Sequence, residues 1–493
     1  MFESCHTFSF FDYFRVPCAV QPTLAAGHHG RIPDPLHQLR VADESGGAQP
    51  SLLWPGADVA PAAWPTTGVL GRYRLRDCTF VAHVALSTTV PGTLSQLGRG
   101  WHPVEQVFDD AGGPCAAVWR DDDGSVFLPF DPGEVMLQFW SEGYERSGRS
   151  PVAVSGRDLM LRGYYLVRPA LPRQLQLRLR RSYTKVQGRS SFPSWPIEDS
   201  LHTLYTWLFG LVAELAGQPV PFLDPWPDGR SWALVLTHDV ETDAGCRDIS
   251  LLREPEQELG YRSSWNFVPL RYQVSDDLID DLKQQGCEVG VHGLRHDGRD
   301  LGSPRLLAKR LPMMREYADR WQAVGFRSPA TQRRWDMMPQ LGFEYDSSYT
   351  DTDPYEPQPG GCCSYLPYFN EKLVELPITM PQDHTVFSIL QHRDAGLWLR
   401  KARLLRERNG MVLVLTHPDY ARDGVAEAYR SLLEALHGDS TVWHALPREV
   451  ADWWRARASS QLCPEGDGWR IEGPASANAR IRFATADGYH SGS

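Results

Sequence analysis

Residues 232–241 read WALVLTHDVE, and this stretch decides the fold class of the chain. Its first six residues are almost all apolar, which is typical of a β-strand buried on both faces. The pattern returns at residues 411–418, which read MVLVLTHP. Strands that are apolar throughout belong to parallel sheets whose faces are covered by helices. Each run ends in polar residues, so we expect polar side chains where each strand ends.

Outward from these two runs, short apolar segments alternate with longer segments of helical character. Further buried strands are predicted at residues 265–268, 287–291 and 373–377. The intervening helices are predicted at residues 275–285, 304–323, 394–409, 424–437 and 447–457. Buried strands that alternate with helices indicate a parallel sheet. The prediction is an α/β domain at residues 231–457, folded as a distorted (β/α) barrel.

The N-terminal third of the chain has a different character. Residues 1–170 are predicted to form a β-rich accessory domain, with a strand at residues 78–86. The segments 116–120 and 126–130 flank the turn-like sequence DDDG and predict a hairpin. No titratable residues cluster in a chemical pattern here, so this region does not indicate its own role.

Two shorter segments complete the chain. Residues 171–230 are predicted as a helical lead-in, because their apolar segment 201–216 has the length of a helix packed on a domain. Residues 458–493 are predicted as a polar tail with one hairpin between Trp469 and Phe483. A chain of 493 residues is thus expected to contain two or three domains.

The composition argues against several classes of partner and site. The net charge is −11 and the isoelectric point is about 5.8, which argues against nucleic acid as a partner. The nine cysteines lack CxxC spacing, which argues against a disulfide framework and a thiolate metal site. The N-terminus, MFESCHTFSFFDYFRVP, lacks the basic start of a signal peptide, and no window reaches the roughly 18 apolar residues of a membrane span. We expect a cytoplasmic protein without an integral membrane segment; its oligomeric state is left open.

Polar residues follow three of the predicted strands and the pair GF at residues 325–326, which is taken as a fourth strand end. Active sites of α/β folds form at such strand ends. The candidates for chemistry are Asp239, Glu241, His292, His296, Arg327 and His417. Two imidazoles and one carboxylate suit Zn²⁺ or a similar divalent ion and leave a coordination position for water. Such an ion lowers the pKa of water towards about 7 and polarises a carbonyl group. A nearby carboxylate can accept the proton of that water, and an imidazole can protonate a leaving nitrogen.

The order of the motifs is more specific than any single motif. An HxxxH pair alone carries little weight, because 16 His in 493 residues give about 0.5 such pairs by chance. Five segments in order read THDVE at 237–241, EVGVHGLRHD at 288–297, GFRSPA at 325–330, LGFEYDSSY at 341–349 and LVLTHP at 413–418. This series resembles the motifs of polysaccharide deacetylases of the NodB-homology type, known as carbohydrate esterase family 4. The resemblance covers roughly residues 230–457 and implies the deacetylase type of (β/α) barrel.

The resemblance implies His292 and His296 as metal ligands and Glu241 as the third ligand. Glu241 departs from the family, which has Asp there, and Glu is one methylene longer. Two arrangements are open. In the preferred one Glu241 binds the metal and Asp239 is the base, because residues two apart at a strand end point the same way. In the other, Asp239 is the ligand, and the base is Glu241 or is missing.

The resemblance also implies the residues that move protons. Asp239 takes the place of the catalytic base, Arg327 orients it, and His417 is the general acid. The Asp-Trp element of the family's fourth motif is not visible, and Asp346 is the candidate for tuning His417. Backbone N–H groups near residues 328–330 are expected to help the metal stabilise an oxyanion.

The predicted function is the metal-dependent removal of N-acetyl groups from a polysaccharide or oligosaccharide. Two alternatives stay open. One is hydrolysis of another non-peptide C–N bond in a small molecule. The other is a degenerate member that binds carbohydrate without turnover, which the Glu at position 241 and the missing fourth motif keep possible. Metal content separates this last alternative from the two enzymatic ones.

Overall fold

The computed structural model describes residues 2–21, 36–42, 50–56, 70–88, 90–98, 100–145, 181, 184, 188 and 192–489. The chain divides into two compact units. The first draws on Met1–Met160, Asp199–Pro225 and Arg457–Ser493, and the second on Leu161–Glu198 and Trp226–Ala456. The boundary predicted at residue 170 lies outside the described residues. Residues 199–225 of the predicted lead-in and the whole predicted tail belong to the first unit.

A nine-stranded mixed sheet dominates the described part of the first unit. Its strands are β1 (Phe2–Ser4), β2 (Cys18–Val20), β3 (Leu36–Val41), β4 (Ser51–Pro55), β5 (Gly71–Leu75), β6 (Cys78–Ala82), β7 (His102–Asp109), β8 (Pro114–Arg120) and β9 (Val126–Phe127). They lie in the order β2-β1-β3-β4-β9-β8-β7-β5-β6. The predicted hairpin is present as β8 and β9, which are antiparallel and pair Trp119 with Phe127. The helices of this unit are α1 (Ser9–Phe14), α2 (Val90–Leu94), α3 (Pro132–Trp140) and α4 (Ser200–Ala216).

The C-terminal segment of the first unit is paired and is not a free tail. Its strands are β10 (Val220–Leu223) with β22 (Ile481–Ala484), and β20 (Gln461–Glu465) with β21 (Gly468–Glu472), both antiparallel. The hairpin predicted between Trp469 and Phe483 is therefore wrong, since Trp469 pairs with Pro464 and Phe483 pairs with Pro221. Gly466 adopts a φ of 58° in the two-residue turn of β20 and β21, which favours this shorter hairpin.

The second unit is an α/β domain with a mainly parallel sheet. Its strands are β11 (Trp232–Val240), β12 (Ser264–Phe267), β13 (Glu288–Val291), β14 (Gly325–Phe326), β15 (Tyr345–Asp346), β16 (Tyr368–Asn370), β17 (Leu373–Glu375), β18 (Met411–Thr416) and β19 (Val442–His444). Their order is β16-β17-β15-β14-β13-β12-β11-β18, with β19 also paired to β11. Only the pair β16 and β17 is antiparallel. All carboxyl ends of the parallel strands therefore meet at one edge.

Helices alternate with these strands, as the sequence pattern predicts. They are α5 (Asp243–Arg247), α6 (Ser250–Glu258), α7 (Asp276–Gln284), α8 (Pro304–Trp321), α9 (Gly396–Glu407), α10 (Val425–Leu436) and α11 (Pro447–Ala458). Among the described residues, no helix is both long enough and apolar enough to cross a lipid bilayer.

Closure of the predicted barrel depends on the seam between β17 and β18, the place where the two sides of the sheet would have to meet. The chain beyond β17 reaches β18 through individual hydrogen bonds. Met380 N–H donates to Leu413 O at 3.1 Å, and Thr379 Oγ1 accepts from Leu413 N–H at 2.8 Å. Within the described ranges no strand ladder spans this seam, so individual hydrogen bonds join the two sides of the predicted barrel.

A buried polar network fixes β11, the strand that carries Asp239. His238 points to the opposite face from Asp239, because side chains alternate along a strand. There its Nε2 lies 2.7 Å from Glu256 Oε1, and the hydroxyl of Ser263 donates to Glu256 Oε2 at 2.6 Å. The hydroxyl of Tyr429 also donates to Glu256. Helices α6 and α10 are thus tied to β11, and the opposite face of the strand is left for chemistry.

Replacing Tyr429 with Phe should lower the free energy of unfolding by about 1–3 kcal/mol, because a buried carboxyl group loses a donor. Urea unfolding of the purified chain measures this loss. Tyr261→Phe is the matched control, since its hydroxyl makes only a 3.4 Å contact to Leu433 O and the loss should be smaller. Equal losses in the two variants would contradict a special role for the network.

Candidate functional site

The structure brings the three predicted metal ligands together at the carboxyl edge of the second unit's sheet. Glu241 lies directly beyond β11, His292 directly beyond β13, and His296 four residues later. One ligand atom from each of the three residues lies within 4.8 Å of the other two. His292 is 2% exposed, whereas the side chains of Glu241 and His296 are 16% and 15% exposed. The three donors thus form a mostly buried group with limited exposure to solvent.

The protonation of His292 leaves one of its ring nitrogens available to a divalent ion. His292 Nδ1–H donates to Arg327 O at 3.1 Å, which leaves its Nε2 without a proton. Burial lowers the pKa of His292 to about 4, so the ring is neutral at neutral pH. The Nε2 atoms of His292 and His296 are buried without a hydrogen-bond partner, although His296 Nε2 lies 2.9 Å from Glu241 Oε1. Unsatisfied buried nitrogens beside a carboxylate fit Zn²⁺ or a similar ion.

The loop that carries His296 has an unusual backbone. His296 adopts a φ of 53° and Gly293 one of 62°, so both lie in the left-handed region. A Cβ at Gly293 would lie 2.6 Å from Asp300 Oδ2, so glycine is required there. Arg310 of α8 holds the loop by donating to Asp297 and to Asp300, with N–O distances of 2.6–2.7 Å. These bonds offset the strain of placing a ligand at positive φ.

Asp239 lies beside the three ligands, on the same face of the chain as Glu241. Its Oδ1 accepts from Asn266 Nδ2 at 2.8 Å, and its Oδ2 is 3.7 Å from His292 Nδ1. Burial alone would raise the pKa of Asp239, but His292, Arg327 and the Asn266 hydrogen bond outweigh it and lower the pKa below its ordinary value. Asp239 is therefore a buried carboxylate that stays ionised and outside the group of three.

Arg327 is buried beside Asp239 and is fixed on several sides. Its Nε donates to Ser347 O at 2.6 Å, and its terminal nitrogens donate to Ser347 Oγ at 2.8 Å and Thr237 Oγ1 at 3.0 Å. One terminal nitrogen lies 3.5 Å from Asp239 Oδ1. A guanidinium held in this way can orient a carboxylate and balance its charge.

His417 follows β18 and faces the same group. Its Nε2 is 3.9 Å from Glu241 Oε1, and its Nδ1 donates to Asp383 Oδ1 at 2.6 Å. The backbone N–H of His417 donates to Asp383 Oδ2, also at 2.6 Å. Burial alone would lower the pKa of His417, but the charge and hydrogen bond of Asp383 dominate and raise it to about 10. His417 is therefore an imidazolium at neutral pH in the metal-free chain.

Asp383 replaces Asp346 as the partner of His417, so the prediction for Asp346 is wrong. Asp346 instead accepts from Ser348 Oγ at 2.8 Å and shares the backbone N–H of Ser348 with Glu375. Its physical role is to hold the turn that anchors Arg327. Asp383 was missed because it lies six residues beyond the predicted strand at 373–377, whereas the sequence argument considered only residues next to a strand end.

Neither a protein-family model nor a curated protein matches this chain, whereas solved structures match about half of it. A protein from Mycobacterium smegmatis assigned as a polysaccharide deacetylase is 19% identical; the match covers 49% of this chain and 96% of that one, with a TM-score of 0.39. The allantoinase PuuE is 16% identical over 47% of this chain and 93% of its own, with a TM-score of 0.39. A protein from Pseudomonas aeruginosa PAO1, also assigned as a polysaccharide deacetylase, is 17% identical over 47% and 94%, with a TM-score of 0.38. Because these values are low, this likeness carries no argument about the function.

The pair of His417 and Asp383 predicts a pH dependence of stability. A folded-state pKa of about 10, above the ordinary 6.5, contributes stability that is complete below pH 6.5 and is lost as the pH rises towards 10. Asp383→Asn should therefore lower the free energy of unfolding most at pH 6 and least at pH 10. Urea unfolding with chelator present measures this difference.

The control for this measurement is Asp423→Asn, since Asp423 is exposed on the surface. Its effect on the free energy of unfolding should stay constant from pH 6 to 10. If the deficit of Asp383→Asn is equally independent of pH, Asp383 does not raise the pKa of His417.

Proposed function

We propose that the second unit is a metal-dependent hydrolase that removes N-acetyl groups from carbohydrate. The observation that carries this proposal is the convergence of two unsatisfied imidazole nitrogens on the carboxylate of Glu241, with Asp239 and His417 beside them. This set contains ligands, a base and an acid, which are the groups that amide hydrolysis needs. The motif order, from THDVE to LVLTHP, supports carbohydrate as the substrate class.

Glu241, His292 and His296 would hold the ion, with Zn²⁺ the expected species. When bound, the ion supplies Lewis acidity to the acetamide carbonyl and acidifies a water molecule. Three protein ligands leave room for both, as in catalytic zinc sites generally. In this arrangement Glu241 is the ligand and Asp239 the base, since Glu241 belongs to the group of three and Asp239 does not.

Two side chains would move the protons of the reaction. Asp239 is ionised and held by Asn266 and Arg327, so it can take a proton from water. His417 keeps its proton through Asp383 and presents Nε2 towards Glu241, so it can donate to the departing amine. The separate environments keep one group deprotonated and the other protonated at the same pH.

Backbone groups of the loop after β14 support a place for the oxyanion. The N–H of Ser328 already donates to Ser348 Oγ at 2.8 Å, and Pro329 has no N–H. Of residues 328–330, Ala330 is therefore the candidate donor. Ala330 and Thr331 have φ values of 55° and 50°, and such strained backbone is concentrated at functional sites.

The substrate and location complete the proposal. We propose an N-acetylated oligosaccharide as the substrate and a cytoplasmic location, for which an intracellular glycan precursor is the matching substrate. A small C–N compound is the rival substrate for the same residues. Acetate release from N-acetylated oligosaccharides, with and without chelator, tests the proposal directly, and bound metal without acetate release would point to the rival.

His292→Ala should weaken Zn²⁺ binding at least about 100-fold, because one ligand is lost from a site of three. Equilibrium dialysis with elemental analysis measures the bound ion. His437→Ala is the matched control, since His437 is exposed and lies outside the group. Unchanged Zn²⁺ binding by His292→Ala would rule out this metal site.

Asp239→Asn should keep the metal and lose turnover by about 10²–10⁴-fold, the usual contribution of a positioned base. Asn is the same size and keeps an oxygen that can accept from Asn266. Zn²⁺ content and chelator-sensitive acetate release are measured on the same sample. Loss of the metal would instead support the arrangement in which Asp239 is the ligand, and full activity would exclude Asp239 as the base.

A further inference from the structure

Glu241 lies one residue beyond the end of β11, so the ladders of the sheet do not fix its position. Its backbone N–H donates instead to Asp419 Oδ2 at 2.8 Å. The hydroxyl of the next residue, Thr242, donates to the other oxygen of the same carboxylate. The hydroxyl of Tyr420 lies 3.4 Å from Glu241 Oε2. Asp419 and Tyr420 therefore contact Glu241 at the backbone and at the carboxylate.

Space for Asp419 is provided by a glycine in α5. A Cβ at Gly245 would lie 2.3 Å from Asp419 Oδ2, far inside van der Waals contact. The N–H of Gly245 donates to Thr242 Oγ1 at 3.3 Å, so Thr242 caps the helix while it binds Asp419. Glycine has a lower helix propensity than alanine. The carboxylate of Asp419 lies where a Cβ of residue 245 would be, which explains why glycine is present there.

One short turn contacts both His417 and Glu241. Residues Pro418–Tyr420 form a 3₁₀ turn directly after His417, and Tyr420 N–H donates to His417 O at 3.0 Å. The turn that carries His417 therefore also holds the backbone of Glu241. Glu241 is longer than the aspartate expected there, so the position of its Cα decides whether its carboxylate reaches the two histidines.

We propose that Asp419 is a positioning residue for the metal ligand Glu241. It fixes the backbone at position 241 at the distance from which a glutamate, and not an aspartate, meets His292 and His296. The glutamate is then matched to the backbone position that Asp419 sets, and it is not a sign of a degenerate site. This inference rests on the proposed metal site, and it concerns metal affinity before any turnover.

The experiment measures Zn²⁺ affinity of the full chain by competition with a chelating dye. Asp419→Asn should weaken the affinity about 10–100-fold, the usual effect of losing a partner that orients a ligand. Asp423→Asn, an exposed change in the same loop, should stay within about twofold of the unmodified chain. Unchanged affinity in Asp419→Asn, with normal Zn²⁺ binding by the unmodified chain, overturns the inference.

A double variant separates positioning from general damage to the fold. If Asp419 acts through Glu241, adding Asp419→Asn to Glu241→Ala should cause no further loss of Zn²⁺ affinity. A further loss of tenfold or more would mean that Asp419 acts by another route and would overturn the inference. If the unmodified chain itself binds no Zn²⁺, the proposed metal site fails as well.

Gly245→Ala provides a second test if Asp419→Asn folds poorly. Alanine is the better helix former, so a role of Gly245 limited to the helix predicts no loss of Zn²⁺ affinity. Displacement of Asp419 by the new Cβ should instead lower Zn²⁺ affinity at least about fivefold, the same direction as for Asp419→Asn. Normal Zn²⁺ affinity in Gly245→Ala would contradict the positioning role of Asp419.

Discussion

The alternation of side chains along β11 is the constraint on which the rest of the site depends. His238 points to the helices and is held there by Glu256. Asp239 then must point the other way, because successive residues of a strand face opposite sides. A register shift of one residue would bury the carboxylate of Asp239 among helices and expose His238 to the site. The buried network is thus a structural condition for the chemistry.

The charges of Asp239 and His417 in this buried site have defined partners, as burial of charge requires. Asp239 is balanced by Arg327, and His417 by Asp383. In the described part of the chain, the Nε2 atoms of His292 and His296 are buried without a satisfied hydrogen bond, and that of His296 lies 2.9 Å from Glu241 Oε1. Unsatisfied groups in an otherwise satisfied network indicate where a ligand completes the structure. The same buried polar network therefore stabilises the site and leaves two imidazole nitrogens for an ion.

Local sequence patterns anticipated much of the second unit, for a physical reason. A strand buried on both faces must be apolar throughout, and a helix that covers it must be amphipathic, so both are visible in short windows. The partners of Glu241 and His417 escaped the same approach. Asp419 is 178 residues from Glu241 in the chain, and Asp383 is 34 residues from His417. No local pattern records which distant carboxylate accepts a given N–H.

The sequence by itself determined five strands and five helices of the second unit and the polar residues at the strand ends, because burial and periodicity act within a few residues. The short strands β14, β15, β16 and β19 and the helices α5 and α6 were not among the predicted elements. Only the tertiary structure decided which acid holds His417, which residue holds Glu241, and that Ile481–Ala484 pairs with Val220–Leu223. Those choices depend on distances between segments far apart in the chain. Such distances are set by packing of whole elements, and composition and spacing do not encode them locally.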